Sequence, residues 1–129
     1  VDHSGLGEDS RVSARDMMTA LVNVYGSGTL KPIMKTVKLR DSKGRPMANH
    51  PIKVEAKTGT LNFVSALAGY MTAPNGRVMA FAIFAADEPR RATLSRAERE
   101  RPEGGRSWNG RAKRLQQSLI ERWGAYHAV

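Results

Sequence analysis

The chain of 129 residues contains no cysteine, and this excludes disulfide bonds, thiolate nucleophiles and cysteine-based zinc sites. Its three histidines, His3, His50 and His127, are far apart and show no metal-ligand spacing, so we expect surface residues and no metal. No run of 18 apolar residues is present, so the sequence predicts no transmembrane segment. Residues 1–4 include neither an initiator Met nor the start of a signal peptide, so we expect that residue 1 is not the natural start.

Acidic residues are also scarce, with 12 Asp and Glu against 21 Lys and Arg, which gives a formal charge of +9. Residues 90–129 hold ten of the basic residues and only four acids. Such a surface suits nucleic acid, anionic lipid or an acidic polymer. Aromatic residues make up only 6% of the chain and do not alternate with the basic ones, so we expect a solvated basic surface and no nucleic-acid partner.

Two segments in the first half of the chain have clear periodicity. Apolar residues from Ala14 to Tyr25 recur at helical spacing, with Ser10 as the expected N-cap and Gly26 near the end. Residues 52–56 alternate apolar and charged side chains, as in a half-buried strand that breaks at Gly59.

Two apolar runs, 63–72 and 78–86, flank Pro74-Asn75-Gly76 and predict a hairpin. Both runs are apolar on both faces, which indicates a sheet covered on each side. The expected fold is therefore α+β with three layers (α/β/α), an antiparallel sheet flanked by helices, and residues 1–129 show no separate second domain.

The last part of the chain is predicted to be a basic surface loop followed by a helix. Residues 87–110 are polar and rich in Gly and Pro, with room for one short helix at 93–101. The final helix is expected to pack on the sheet through Ala112, Leu115, Leu119, Trp123 and Tyr126.

Lys57-Thr58-Gly59-Thr60 is the part of the sequence with the clearest chemistry. A Lys-Thr-Gly on a strand is one of three signatures of the serine penicillin-binding and β-lactamase proteins. Lys57 supplies positive potential for a substrate carboxylate and for proton relay, and the Thr58 hydroxyl can donate to that carboxylate. Gly59 lets a helix or substrate approach the strand, and the Thr60 N–H can serve as an oxyanion donor. On its own the triplet is equally compatible with a surface strand entering a turn.

The longer run AKTGTLNFVSALAGYMTAPNGRVMAFAIF resembles the third-motif strand and hairpin of the penicillin-binding protein 4 type D-alanyl-D-alanine carboxypeptidases, peptidase family S13. Asp2-His3-Ser4-Gly5-Leu6 and Arg11-x-Ser13 are similar to the segment that follows the second motif in that family. The resemblance covers most of residues 2–87. It implies that Lys57, Thr58 and Gly59 form the third motif, and that Thr60 is the oxyanion and substrate-strand residue.

The other two motifs of that family are missing here. No Ser in this chain has Lys three residues later, so a nucleophile and its base are absent. Ser107-Trp108-Asn109 has the form Ser-x-Asn, but it follows the Lys-Thr-Gly instead of preceding it, so we interpret it as a coincidence in a loop. The resemblance makes Ser4 structural.

The resemblance implies the C-terminal part of a penicillin-binding catalytic domain. The intact, periplasmic enzyme would cleave D-Ala-D-Ala or a cross-link in peptidoglycan through an acyl-serine, would be acylated by β-lactams, and would need no cofactor. Its partners would be a stem peptide ending in D-Ala-D-Ala and the upstream half of the domain, without which this chain would be inactive. Two alternatives stay open: a non-catalytic module that binds cell-wall peptides, and a basic nucleic-acid binder.

Overall fold

The structure is a computed structural model, and it describes residues 9–128. A four-stranded antiparallel sheet in the order β1-β2-β3-β4 lies at its centre. The elements are α1 (Ala14–Tyr25), a short 3-10 turn (Lys31–Ile33), β1 (Lys35–Thr36), β2 (Lys53–Leu61), β3 (Val64–Thr72), β4 (Val78–Ala86), α2 (Glu88–Ala92) and α3 (Gly105–Tyr126). No helix of the described chain is long and apolar enough to cross a membrane.

The sheet carries a separate apolar cluster on each face. The larger cluster includes Val54, Leu67 and Phe81 and packs against Ile120 of α3. The smaller one joins Tyr70 to Leu21 of α1. Strand residues alternate between the faces, so the largely apolar strands β3 and β4 supply both clusters. The predicted three-layer α+β architecture is confirmed.

Helix α1 begins later than expected. The Ser13 hydroxyl accepts the Asp16 N–H at 3.0 Å and donates to the Asp16 carboxylate at 2.7 Å. This reciprocal pair makes Ser13 the N-cap, and the prediction of Ser10 is wrong because Ser10 lies too far from the first free N–H groups. The helix ends at Tyr25, next to Gly26, as predicted.

Two hairpins connect the long strands. The predicted one at Pro74-Asn75-Gly76 is confirmed, with Gly76 at φ 83° and the Gly76 N–H bonded to the Ala73 carbonyl at 2.9 Å. The predicted strand break at Gly59 is wrong. β2 runs through Gly59, which pairs with Ala66, and continues to Leu61.

The C-terminal predictions need two corrections. The expected loop over 87–110 contains α2 and the first turns of α3, and the short helix lies at Glu88–Ala92 instead of 93–101 because Asp87 caps it, accepting the Arg90 N–H. The expected apolar stripe of α3 is only partly correct. Ala112 is buried, and Leu119 and Trp123 pack against the larger cluster, as predicted. Leu115 and Tyr126 are instead 53% and 75% exposed, because the helix buries Ala112, Gln116, Ile120 and Gly124 at intervals of four residues.

Candidate active site

Lys57, Thr58, Gly59 and Thr60 occupy the second half of β2, and all four are exposed. β1 pairs with β2 only at Glu55 and Ala56. From Lys57 onward, the edge of β2 opposite to β3 has no strand partner within residues 9–128. The predicted motif therefore lies on an open strand edge.

The pairing of β1 also fixes which backbone groups point to this edge. The Val37 N–H donates to the Val54 carbonyl at 2.9 Å, so the backbone groups of Val54 face outward. Because the direction repeats every second residue, those of Thr58 and Thr60 face the same open edge. The Lys57 ammonium donates to the Thr58 carbonyl. The N–H and C=O of Thr60 are thus directed outward, as an oxyanion donor and a substrate-strand residue require.

The side chains of the motif divide between the two faces of the sheet. Lys57 and Gly59 share the face that α1 covers, and Thr58 and Thr60 share the face that α3 covers. Gly59 pairs with Ala66 and Ala66 with Phe84, which is 38% exposed. This row of two small residues and an exposed ring forms an open apolar surface beside the Lys57 side chain.

Nothing in the described chain requires a glycine at position 59. Its φ is not positive, and a Cβ there would lie 3.6 Å from the Ala66 Cβ, an ordinary contact. Gly69 differs, because a Cβ would overlap the Glu55 carbonyl oxygen and lie 2.6 Å from the Ala56 Cα. Gly69 thus serves the packing of β2 on β3, whereas Gly59 leaves space next to the open edge.

Two residues beyond Thr60, the chain turns at Asn62-Phe63 in a strained conformation. Phe63 is fully buried and has φ 64°, which is unusual for a bulky side chain. The guanidinium of Arg90 lies 4.1 Å from the centre of its ring, and the Trp108 ring meets it edge-on at 6.0 Å. The Phe63 carbonyl also accepts the Asp87 N–H at 2.8 Å. These contacts hold the end of the motif strand to the segment that follows β4.

A cavity of about 360 Å³ lies beside this turn. Thr60, Leu61 and Asn62 form one wall, and Arg91, Arg99 and Glu100 form the other. The Arg91 guanidinium donates to the Asn62 carbonyl at 3.0 Å. The open edge of β2 therefore ends in a polar hollow that contains two arginines. Sequence reasoning missed Asn62, Phe63 and Arg90, since a buried aromatic at positive φ has no sequence signal.

Several residues considered from the sequence do not join this site. Ser107 and Asn109 lie in the first turns of α3 instead of a loop, and the Ser107 hydroxyl accepts the Arg111 guanidinium at 2.9 Å. His50 accepts the Ile52 N–H at 3.0 Å and lies 3.4 Å from the Glu121 carboxylate, which is a structural role. Residues 2–6 lie outside the described residues. Within residues 9–128, no group of three His, Asp or Glu side chains is arranged to hold a metal ion.

Comparison with known proteins identifies one family. Curated proteins and solved structures gave no match. The family model of the D-Ala-D-Ala carboxypeptidase 3 (S13) family matches residues 1–101, which include β2, its open edge and both hairpins. The chain therefore belongs to the D-Ala-D-Ala carboxypeptidase 3 (S13) family of cell-wall peptidases.

Proposed function

We propose that this chain supplies the Lys-Thr-Gly strand of a serine-type D-Ala-D-Ala carboxypeptidase or endopeptidase that acts on peptidoglycan. In the proposed reaction a serine Oγ attacks the carbonyl carbon of the penultimate D-Ala. The D-Ala amine, or the amine of a cross-link, leaves with a proton, and water then hydrolyses the acyl-serine. β-Lactams would acylate the same serine, and we place the intact enzyme in the periplasm.

The open edge of β2 is the observation that carries this proposal. A peptide in extended conformation can add to such an edge as a further antiparallel strand through backbone hydrogen bonds. The outward N–H and C=O of Thr60 would bind the peptide backbone, and the N–H would stabilise the oxyanion as charge develops on the carbonyl oxygen.

Lys57 and Thr58 would recognise the free carboxylate of the substrate. The Lys57 ammonium is exposed beside the edge and attracts an anion, while the Thr58 hydroxyl is a neutral donor on the other face of the same strand. A terminal carboxylate has two oxygens that accept hydrogen bonds, so it can accept one from the Lys57 ammonium and one from the Thr58 hydroxyl.

The nucleophile and its base would come from the other half of the catalytic domain. The chain has no Ser-x-x-Lys, so these residues of the site cannot come from it. The open surface of Gly59, Ala66 and Phe84 lies next to Lys57 and would receive that half. We therefore propose that residues 1–129 alone are inactive.

Labelling with fluorescent penicillin tests the proposal. We expect the intact protein, or this chain reassembled with its upstream half, to be labelled, and the isolated chain to stay unlabelled. Lys57→Ala in the intact protein should greatly reduce the labelling rate. Lys53→Ala is the matched control, since Lys53 is exposed on the same face of the same strand. Labelling of the isolated chain, or equal losses in both variants, would refute the proposal.

A second candidate is a module that binds cell-wall peptides without cleaving them. The same open edge favours it, because strand addition needs no nucleophile. A peptide ending in D-Ala-D-Ala should then bind to the chain alone, and replacing Lys57 and Thr58 by Ala should abolish this binding. If calorimetry detects no binding to the unmodified chain, this candidate is excluded.

A further inference from the structure

The outward side of α3 carries a row of exposed side chains that have no part in the site described above. Its members recur at i, i+3, i+4, i+7, i+11 and i+15, so they lie on one side of the helix, opposite to the buried Ala112, Gln116 and Ile120. We name it the outer row: Arg111, Arg114, Leu115, Ser118, Arg122 and Tyr126. The family match ends at residue 101, before α3 begins.

The outer row is cationic, and no acid of residues 9–128 forms an ion pair with it. It contains three arginines and no acid, and the only acid in α3 is Glu121. The Glu121 carboxylate is already engaged, 3.4 Å from His50 and 3.1 Å from the Gln117 amide. None of the three ion pairs found within residues 9–128 includes a cation of α3.

The folded chain places a further cation beside this helix. The Gln117 side chain accepts the Arg40 N–H at 2.9 Å and donates to the Arg40 carbonyl at 2.6 Å. Lys113 and Arg114 lie one helical turn before Gln117, and like Arg40 they are exposed. The Arg40 backbone therefore lies beside α3, and its guanidinium, which donates to the Gly44 carbonyl at 2.7 Å, adds a cation next to the helix.

We propose that the outer row, together with Arg40, docks the protein on the surface of an anionic phospholipid bilayer. The surface is one side of a 22-residue helix, with a shape that suits a flat array of phosphates. Arginines on such a helix are attracted to the negative potential of anionic lipids.

Exposed apolar side chains favour a bilayer over a nucleic acid or another polyanion. Leu115 is 53% exposed and Tyr126 is 75% exposed, and both lie among the arginines of the outer row. At a bilayer, the leucine and the tyrosine ring would enter the boundary between headgroups and acyl chains while the guanidinium groups reach the phosphates. A polyphosphate chain has no apolar region for Leu115, and the row contains only one aromatic side chain for stacking on bases.

Co-sedimentation of the 129-residue chain with vesicles tests this proposal. We expect binding to vesicles of phosphatidylcholine with phosphatidylglycerol, weakening as salt is raised, and no binding to phosphatidylcholine alone. Each cation removed from a lipid-bound surface lowers binding about fivefold. The double variant Arg111→Gln/Arg114→Gln should therefore lower the partition coefficient about 25-fold.

The control removes the same charge from the other side of the sheet. Arg15 on α1 and Lys53 on β2 are exposed on the face opposite to α3, so Arg15→Gln/Lys53→Gln should change binding only slightly. Leu115→Gln leaves the charge unchanged and should still reduce vesicle binding severalfold. Unfolding curves for each variant establish that the chain is folded.

Three outcomes would overturn the proposal. The first is that the control variant loses as much vesicle binding as the Arg111/Arg114 variant. The second is that Leu115→Gln binds vesicles as well as the unmodified chain. The third is that the chain does not bind anionic vesicles even at low salt. If an oligonucleotide binds instead, with the same dependence on Arg111 and Arg114 but none on Leu115, the partner is a polyanion and the bilayer is rejected.

Discussion

Adding one methyl group should destabilise the fold at Gly69 but not at Gly59. At Gly69 the new Cβ would overlap the Glu55 carbonyl oxygen and lie 2.6 Å from the Ala56 Cα, and both of these are backbone atoms that cannot rotate away. At Gly59 the one neighbour within 4 Å among residues 9–128 is the Ala66 Cβ, at 3.6 Å. One substitution must move β2 relative to β3, and the other fits the existing structure.

The size of each effect follows from two opposing contributions. Gly→Ala reduces the conformational freedom of the unfolded chain and stabilises by about 0.4–1 kcal/mol where the backbone permits it. Forcing a methyl group into a packed site costs about 1–3 kcal/mol. Gly69→Ala should therefore lower the free energy of unfolding by about 1–2 kcal/mol. Gly59→Ala should leave it unchanged or raise it by up to about 1 kcal/mol.

Urea unfolding followed by the fluorescence of Trp108 and Trp123 measures both values. The dependence of the unfolding free energy on urea concentration (the m value) should stay constant. The urea concentration at the unfolding midpoint should fall for Gly69→Ala and should stay the same or rise for Gly59→Ala. In the intact protein, Gly59→Ala should also slow labelling by penicillin although the fold is retained. A Gly69→Ala variant as stable as the unmodified chain, or a Gly59→Ala variant just as destabilised, would refute the packing argument.

Substitutions at three further positions probe the turn, the core and a loop. Phe63→Ala should lower the free energy of unfolding by about 3–5 kcal/mol, and Phe63→Gly should lower it by less, because glycine readily adopts a φ of 64°. Thermal unfolding measures both variants, and a glycine variant less stable than the alanine variant would contradict the strained turn. Tyr70→Phe removes the 2.5 Å bond from the Tyr70 hydroxyl to the Leu21 carbonyl and should cost about 1 kcal/mol. Burial raises the pKa of Tyr70 above its ordinary value of 10.0, so the neutral hydroxyl stabilises the fold below pH 10.0 and this stabilisation is lost as the pH rises through the folded-state pKa. Identical alkaline unfolding curves for the unmodified chain and Tyr70→Phe would contradict this. The hydrogen bond from the Arg45 N–H lowers the pKa of Asp41, so the ionised carboxylate stabilises the loop above pH 3.8 and this stabilisation is lost as the pH falls through the folded-state pKa. The Lys43 and Arg45 amides, which donate to this carboxylate, should then exchange faster in acid, and Asp41→Asn should not show this acceleration.

Phe63 and Arg90 give the motif strand a defined end. The strain of the Phe63 turn persists because the Arg90 guanidinium, the Trp108 ring and the Asp87 N–H each hold one part of the residue. These contacts lie only three residues from Thr60, so they fix the strand end that presents the proposed oxyanion donor.

The amino-acid sequence by itself determined the elements whose signals are local. The alternation around Val54, the turn residues at Asn75-Gly76 and the helical spacing after Ala14 predicted a strand, a hairpin and a helix, all of which the structure contains. These patterns depend on the spacing of side chains along one element, so no distant contact is needed to read them. Lys57 to Thr60 differ, because the alternation predicted a break at Gly59 that the structure does not have, and only the Lys-Thr-Gly motif and the family resemblance placed them on a strand.

Only the tertiary structure decided which surfaces are open and which are covered. Gln116 is buried because its amide meets Ser65 across 51 positions of sequence, and this contact turns α3 so that Leu115 faces outward. Likewise, β1 pairs with β2 only as far as Ala56, and within residues 9–128 this leaves Thr60 on an open edge. Residue type and spacing carry no information on where a partner strand ends or which turn of a helix meets the sheet, because both depend on packing between distant segments.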